Sequence, residues 1–196
     1  MKMTFTVKCE GQLSVAVGHD FYARAGQYMV SSTLRKINGG IRPTNAPLTV
    51  AIKQGSRTLR DRGQLMSSIS SRVEGDAAII GTNHPGARLN HFGGTIHPKK
   101  GKWLWIPAGG RTRRLQRRYG FSATHIISGL KRDGYKVWMA SRKKTSGAFM
   151  AQKGRGNPFV VFILKKSVTI PARPFLFVDD LDRDVLSRML AQEVKR

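Results

Sequence analysis

Cysteine is almost missing from this chain of 196 residues: there is one, Cys9. No disulfide can close within the chain, and a cysteine-rich zinc site is excluded. A single cysteine fits a reducing compartment. Acids are scarce as well. Eleven Asp and Glu stand against 35 Lys and Arg, a formal charge of +24. Between Ala77 and Val178 the only acid is Asp133, while four acids crowd into DDLDRD at 179–184. The middle of the chain therefore lacks the carboxylates that a two-metal nuclease needs. Long apolar runs are absent too. FVVFIL at 159–164 has the length of a strand and falls far short of a membrane span. The opening MKMTFTVKCEGQ has no apolar signal-peptide segment, so no membrane association is expected. Three catalytic patterns are missing: the phosphate loop G-x-x-x-x-G-K-S/T, the nucleophile elbow G-x-S-x-G and the zinc pair H-E-x-x-H. The expectation is a protein with no catalytic residue, no metal and no cofactor.

What is present is positive charge. A field of this strength attracts polyanions, either nucleic acid or acidic protein surfaces. The alternative is a solvated surface that keeps the protein soluble.

The length suits one domain, or one domain with a large insertion, and 40% hydrophobic residues supply a core. TFTVKCE at 4–10 alternates as a short strand. From about 13 to 37, Val17, Phe21, Ala25 and Met29 recur every four residues. Tyr22, Tyr28 and Ile37 widen that stripe into a long amphipathic helix, stopped by Asn38-Gly39-Gly40. Thr49–Gln54 reads as a short helix ended by Gly55. Asp61 is placed to cap another, with Leu65, Ile69 and Met66 inward. SRVEGDAAIIGTN reads as two strands around a Gly75-Asp76 turn.

GTNHPGARLNHFGG at 81–94 holds two of the five histidines, His84 and His91. Asn83 or His84 is placed to cap a helix over 85–92, with Pro85 first, Leu89 and Phe92 toward the core, and Gly93-Gly94 at the end. The two rings stand seven apart, one before the proline and one inside the helix. With no carboxylate nearby and Cys9 remote, a third metal ligand is lacking.

In TIHPKKGKWLWIP at 95–107, Trp103 and Trp105 share one face of a strand. Two readings stand, base stacking or interface anchoring and core packing. GGRTRRLQRRYGFS at 109–122 carries Arg111, Arg113, Arg114, Arg117 and Arg118 within eight residues. Such a block repels itself, and it is read as an extended loop or arm. If helical, Arg111, Arg114 and Arg118 would share a face, as would Arg113 and Arg117. YKVWMAS, GAFMAQ and PFVVFILKKSV read as strands joined by basic turns that contain Arg142, Lys143 and Lys144, then Lys153 and Arg155. Residues 95–170 thus read as a β-meander with basic loops. An acid-led helix at about 179–195 closes the chain, with Val185, Leu186, Met189, Leu190 and Val194 on its apolar face.

Three spaced segments resemble the virion morphogenesis, or tail-completion, family of Mu-like contractile-tailed phages and prophages. The first is Thr49, Lys53 and Gly55 leading into LRDRGQL, similar to L-x-D-T-G-x-L and a following Ser-Ile. Leu59, Asp61, Gly63, Leu65, Ser68 and Ile69 match, and Arg62 replaces Thr. The second, IIGTNHPGARLNHFGG, is similar to V-G-T-N-x-x-Y-A-x-I-H-Q-F-G-G. Gly81, Thr82, Asn83, Ala87, Arg88, Phe92, Gly93 and Gly94 match, while Asn90 stands where His is usual and His91 where Gln is. The third is IPARPFLF at 170–177, close to I-P-A-R-P-F-L. The stretch 107–157 has the least to match and is read as a basic elaboration of one domain spanning 1–196.

The resemblance implies an α+β fold, with a long N-terminal helix and a C-terminal helix packed on a mainly antiparallel sheet, carrying basic loops or an inserted β-meander. It implies a structural, non-catalytic protein of the virion neck, made in the host cytoplasm, that completes the tail and joins it to the head. Its expected partners are copies of itself in a ring, commonly a hexamer, neighbouring neck and tail proteins, and genomic DNA in the channel. In that role Arg173, held extended before a proline, reaches Asp179, Asp180 or Asp182 of the same or the next subunit, with Phe175 and Phe177 as anchors. The arginines of 111–118 with Arg142, Lys143, Lys144, Lys153 and Arg155 meet DNA phosphate or acidic neighbours. Charge alone leaves a second reading, a sequence-nonspecific nucleic-acid-binding protein of ribosomal or nucleoid type.

Overall fold

A computed structural model describes residues 2–5, 17–143 and 146–194, with backbone only at 2–5 and 141–143. The chain runs β1 (Lys2–Phe5), α1 (His19–Gly39), α2 (Pro47–Lys53), α3 (Gln64–Ser67), β2 (Ile69–Glu74), β3 (Ala77–Thr82), α4 (Ala87–Phe92) and β4 (Gly94–Ile96). It continues through β5 (Leu104–Pro107), α5 (Gly110–Tyr119), α6 (Ala123–Arg132), β6 (Tyr135–Lys143), β7 (Ser146–Lys153), β8 (Phe159–Lys165), β9 (Val168–Ile170) and α7 (Asp180–Val194). Every strand pairing is antiparallel, and the class is α+β. The described residues form two compact units: 2–5 and 17–44 with 57–93 and 171–194, and 45–56 with 94–143 and 146–170.

The first unit is a three-stranded sheet in the order β1-β3-β2, covered by α1. The four-residue stripe does the covering: Phe21, Ala25, Met29 and Ile37 are all buried. Each large apolar side chain removed from water in this way contributes roughly 1.5–3 kcal/mol. Thr33 sits within the same buried face and satisfies its hydroxyl on the Met29 carbonyl at 2.8 Å. Gly26 sets the closeness of the layers. A Cβ there would collide with the Cβ of Ser71 on β2. Helix α1 ends at Gly40, whose φ of 90° lies in the region that favours glycine. α7 packs on α1 and lends Leu186, Met189 and Leu190 to the core.

The second unit is a four-stranded sheet in the order β5-β8-β7-β6, with a separate β4–β9 ribbon. β6, β7 and β8 form the expected meander. Its inner face carries Phe149, Ala151, Phe162 and Leu164, which pack with Ile126 and Leu130 of α6. Trp103 and Trp105 join this core, half-buried, and Trp105 lies edge-on to Phe162 at 5.6 Å. Gly129 of α6 admits the Tyr119 ring of α5 where any Cβ would overlap it.

Several local expectations are corrected. The arginine block is helix α5 rather than an extended arm, because buried Thr112 and half-buried Leu115 and Tyr119 give the helix a seam to pack. α6 follows where no helix was expected. Asp61 does not cap α3; Gly63, at φ 78°, holds that position. In 81–94 the helix begins at Ala87, capped by neither Asn83 nor His84, so Pro85 precedes it. Its inward residues are Ala87 and His91, while Leu89 is half-buried and Phe92 is 64% exposed. The first strand beyond Phe5 and the helix start before Val17 lie outside the described residues.

Candidate functional site

The acidic turn that opens α7 is built as a reciprocal cap. Asp179 Oδ1 accepts the backbone N–H of Asp182 at 2.8 Å, and Asp182 Oδ2 accepts that of Asp179 at 3.2 Å. This is a capping box with aspartate in the far position. Asp182 is 1% exposed. It also accepts from Ser32 at 2.5 Å and pairs with Lys36, both on α1. The same ammonium reaches Asp179 at 3.1 Å and donates to the Phe177 carbonyl at 2.9 Å, while lying 4.2 Å from the Phe177 ring centre. Burial alone would raise the Asp182 pKa. The hydrogen bonds from Lys36, Ser32 and the Asp179 backbone, with the Lys36 charge, outweigh it and hold the group down at about 2.

Arg173 is occupied elsewhere within the chain. Its Nε donates to the Pro43 carbonyl at 2.7 Å and its Nη2 to the Thr44 carbonyl at 3.0 Å. Its backbone N–H donates to Asn90 at 2.8 Å. The expected intrachain bond from Arg173 to Asp179, Asp180 or Asp182 is therefore corrected, because Lys36 holds Asp179 and Asp182, and Asp180 pairs with Arg183. Phe175 is fully buried, whereas Phe177 is 39% exposed and fills no closed pocket. IPARPFLF acts as an internal clasp that ties the loop before residue 45 to the end of α4.

His91 belongs to that clasp. Its Nδ1 accepts the Phe175 N–H at 3.4 Å, and its ring lies edge-on to Phe175 at 5.2 Å and to Phe92 at 4.5 Å. Burial lowers its pKa. Among the described residues no group of three His, Cys, Asp or Glu could hold a metal ion. His84 accepts the Gly86 N–H at 3.2 Å and shapes the turn before α4.

The motif positions divide by what they do. Thr82 is buried; its hydroxyl shares a hydrogen bond with Ser68 at 2.6 Å and accepts the His84 N–H at 3.1 Å. Gly93, at φ 71°, ends α4 and leads to Gly94 at φ 149°. Gly81, Thr82 and Asn83 line a cleft of about 640 Å³ with Ser67, Ser68, Ser70, Ser71, Arg72 and Ile79. Asp61 lies exposed in the bend before α3. Phe92 differs from these. It projects beside Pro85, Arg88 and Leu89 at a shallow hollow of about 560 Å³, and apart from its edge contact with His91 packing among the described residues does not bury it. The helical spacing of Ala87 and His91 was the signal that could have exposed it.

In the second unit Asp133 is the only acid, against more than half of the 35 Lys and Arg. The five arginines of α5 are unequally engaged. Arg111 stacks on Phe159 at 3.4 Å. Arg113 donates to the Ile52 and Lys53 carbonyls at 3.0 and 3.1 Å, at the C-terminal end of α2. Arg118 pairs with Asp133 at 2.6 Å, which also accepts the Tyr119 hydroxyl at 2.5 Å. Arg114 and Arg117 are exposed and make no bond among the described residues. Lys153 lies over the Tyr135 ring at 5.4 Å, and Arg155 is exposed in the following turn. Arg142 and Lys143 fall in β6 with their side chains outside the description, as is all of Lys144.

No helix among the described residues is long and apolar enough to cross a membrane. No curated protein and no solved structure gives a significant match. Residues 21–143 match the phage virion morphogenesis family. That span runs from α1 through α6 into β6, and it contains the clefts at Thr82 and Phe92 and the whole of the arginine helix. With well over half of its length matched, the chain belongs to the phage virion morphogenesis family, and its role is a structural one in the assembly of a bacteriophage virion.

Proposed function

We propose that the protein completes the tail and joins it to the head at the virion neck, as one subunit of a closed ring and without catalysis. Phe92 is the observation that carries this reading. It sits in the family's F-G-G pattern, yet 64% of it faces solvent, beside Arg88 and Leu89. An aromatic kept outside the core is the side chain an interface uses as an anchor. The subunits assemble in the host cytoplasm, six to a ring on the family's expectation, and meet neighbouring neck and tail proteins. Deleting this chain from an inducible phage tests the reading. Heads and tails that accumulate unjoined, and are rescued by the wild-type chain but not by Phe92→Asp, support it. Normal infectious particles without the chain overturn it.

The basic unit supports a second element of the same reading, contact with polyphosphate. Among the described residues Arg114 and Arg117 of α5 are exposed and their side chains make no hydrogen bond, ion pair or ring contact, and Asp133, the one acid of this unit, is held by Arg118 and Tyr119. Arg114 and Arg117 meet genomic DNA in the channel through its backbone, without reading sequence. Filter binding to random duplex DNA across a salt series tests this. A steep loss of affinity with salt is expected, and no binding at moderate salt rejects it.

A further inference from the structure

We infer that the face of the four-stranded sheet turned away from α5 and α6 receives the first turn of α7 from a second copy of this chain; the inference rests on the ring reading above. Strand alternation gives the sheet two faces. Val137, Phe149, Ala151 and Leu164 occupy the inner one. The pairing register sets Trp138, Met150 and Val160 in one row across the outer face, and Ala148, Ile163 and Ile106 in the next. None of these six belongs to the core of the unit; five are half-buried and Val160 is 38% exposed. Lys136 and Lys165 stand exposed toward the two ends of this face. It bears no acid, since Asp133 is committed to Arg118 and Tyr119.

An apolar centre with cationic margins calls for an apolar knob with anionic neighbours. Two such faces set against each other would place lysine on lysine, which disfavours a symmetric pair. The chain carries the complement in its other unit. Leu181 is 63% exposed on the first turn of α7, next to Asp180 and three residues before Asp184. Arg183 pairs with Asp180, whose side chain stays 93% exposed. The Asp184 carboxylate makes no bond among the described residues. A patch and a different complementary patch on one chain make a head-to-tail contact, the kind that closes into a ring.

Sedimentation velocity on the full-length protein tests the contact with two sets of surface changes. Leu181→Lys with Asp184→Lys alters the knob; Met150→Glu with Lys165→Glu alters the sheet. Where wild type assembles, each set should weaken association at least about tenfold, and a chain carrying both sets should recover it. Either set associating like wild type, or a combined chain no better than each set alone, overturns the contact and leaves the ring reading intact. Wild type that stays monomeric at every concentration overturns both. Carbodiimide cross-linking of mixed light and heavy wild-type chains gives a readout free of any folding defect. Asp180 or Asp184 joined to Lys136 or Lys165 across chains supports the contact; Asp184 joined only to other lysines refutes it. Sheet variants that self-associate normally yet fail to enter particles assign the face to a different virion protein and also refute it.

Discussion

Lys36 on α1 and Asp182 on α7, 146 residues apart in sequence, form an ion pair that fastens the C-terminal helix to the N-terminal one. The lysine keeps a little solvent contact, at 13% side-chain exposure, and the carboxylate has almost none, at 1%. Losing one partner leaves the other desolvated. Asp182→Ala should therefore cost about 3 kcal/mol, and it also removes half of the cap of α7. Urea unfolding monitored by circular dichroism measures this. The folded Asp182 has a depressed pKa, so its contribution is complete above the unfolded carboxylate value. It is lost as pH falls toward about 2. Acid unfolding below about pH 4 should be visibly less pH-dependent in Asp182→Asn than in wild type.

His91 acts in a higher pH window. Burial lowers its folded pKa, so the unfolded chain takes up the proton first as pH falls. Stability should decline once pH drops below about 6.5, the ordinary histidine value, and stop declining below the folded pKa. His91→Gln, which restores the residue usual in the family pattern, should flatten the melting temperature between pH 7.5 and 5.5. An unchanged slope would show that another group is responsible.

Gly129 lets α5 lie against α6. Gly129→Ala should destabilise the protein by about 1–3 kcal/mol, because the added methyl meets the body of the Tyr119 ring. Tyr119→Ala in the same background should recover part of that loss, and a thermal-melt double-mutant cycle reads the coupling.

The arginines of α5 should separate by assay. Arg113→Ala removes a donor from the end of α2 and should lower stability, by about 1–2 kcal/mol. Arg114→Ala with Arg117→Ala should leave the melting temperature unchanged and reduce the salt slope of DNA binding by about 2. Equal effects of the two variants on melting would contradict the assignment.

The parts legible in the sequence are those written as long repeats. The stripe from Phe21 to Ile37 repeats often enough to name its own buried face, and the alternation of residues 135–164 names the strands. Short elements were harder. In α4 two phases of one helix both look apolar, and the choice between Phe92 and His91 is made by Phe175, which lies 84 residues from His91. For α5 the arginine density pointed to an open arm, because the few residues that hold the helix, Thr112, Leu115 and Tyr119, are outnumbered. Thr112 bonds the Val161 carbonyl at 2.6 Å, a contact with no trace in local sequence. Local sequence points Arg173 toward the nearby acids of its own segment, but its partners are carbonyls about 130 residues upstream, and no spacing rule reports those. The second and third motifs locate the Thr82 turn, Phe92 and the clasp without revealing which of them face inward.

Joining head to tail through a ring requires that the chain assemble with itself. Negative-stain images of purified full-length protein, with mass measured by light scattering on the same sample, test it most directly. Closed rings of uniform size are expected, and Phe92→Asp or the α7 knob variants should reduce them to single chains. Monomers at every concentration, together with absence of the chain from purified virions, would contradict it.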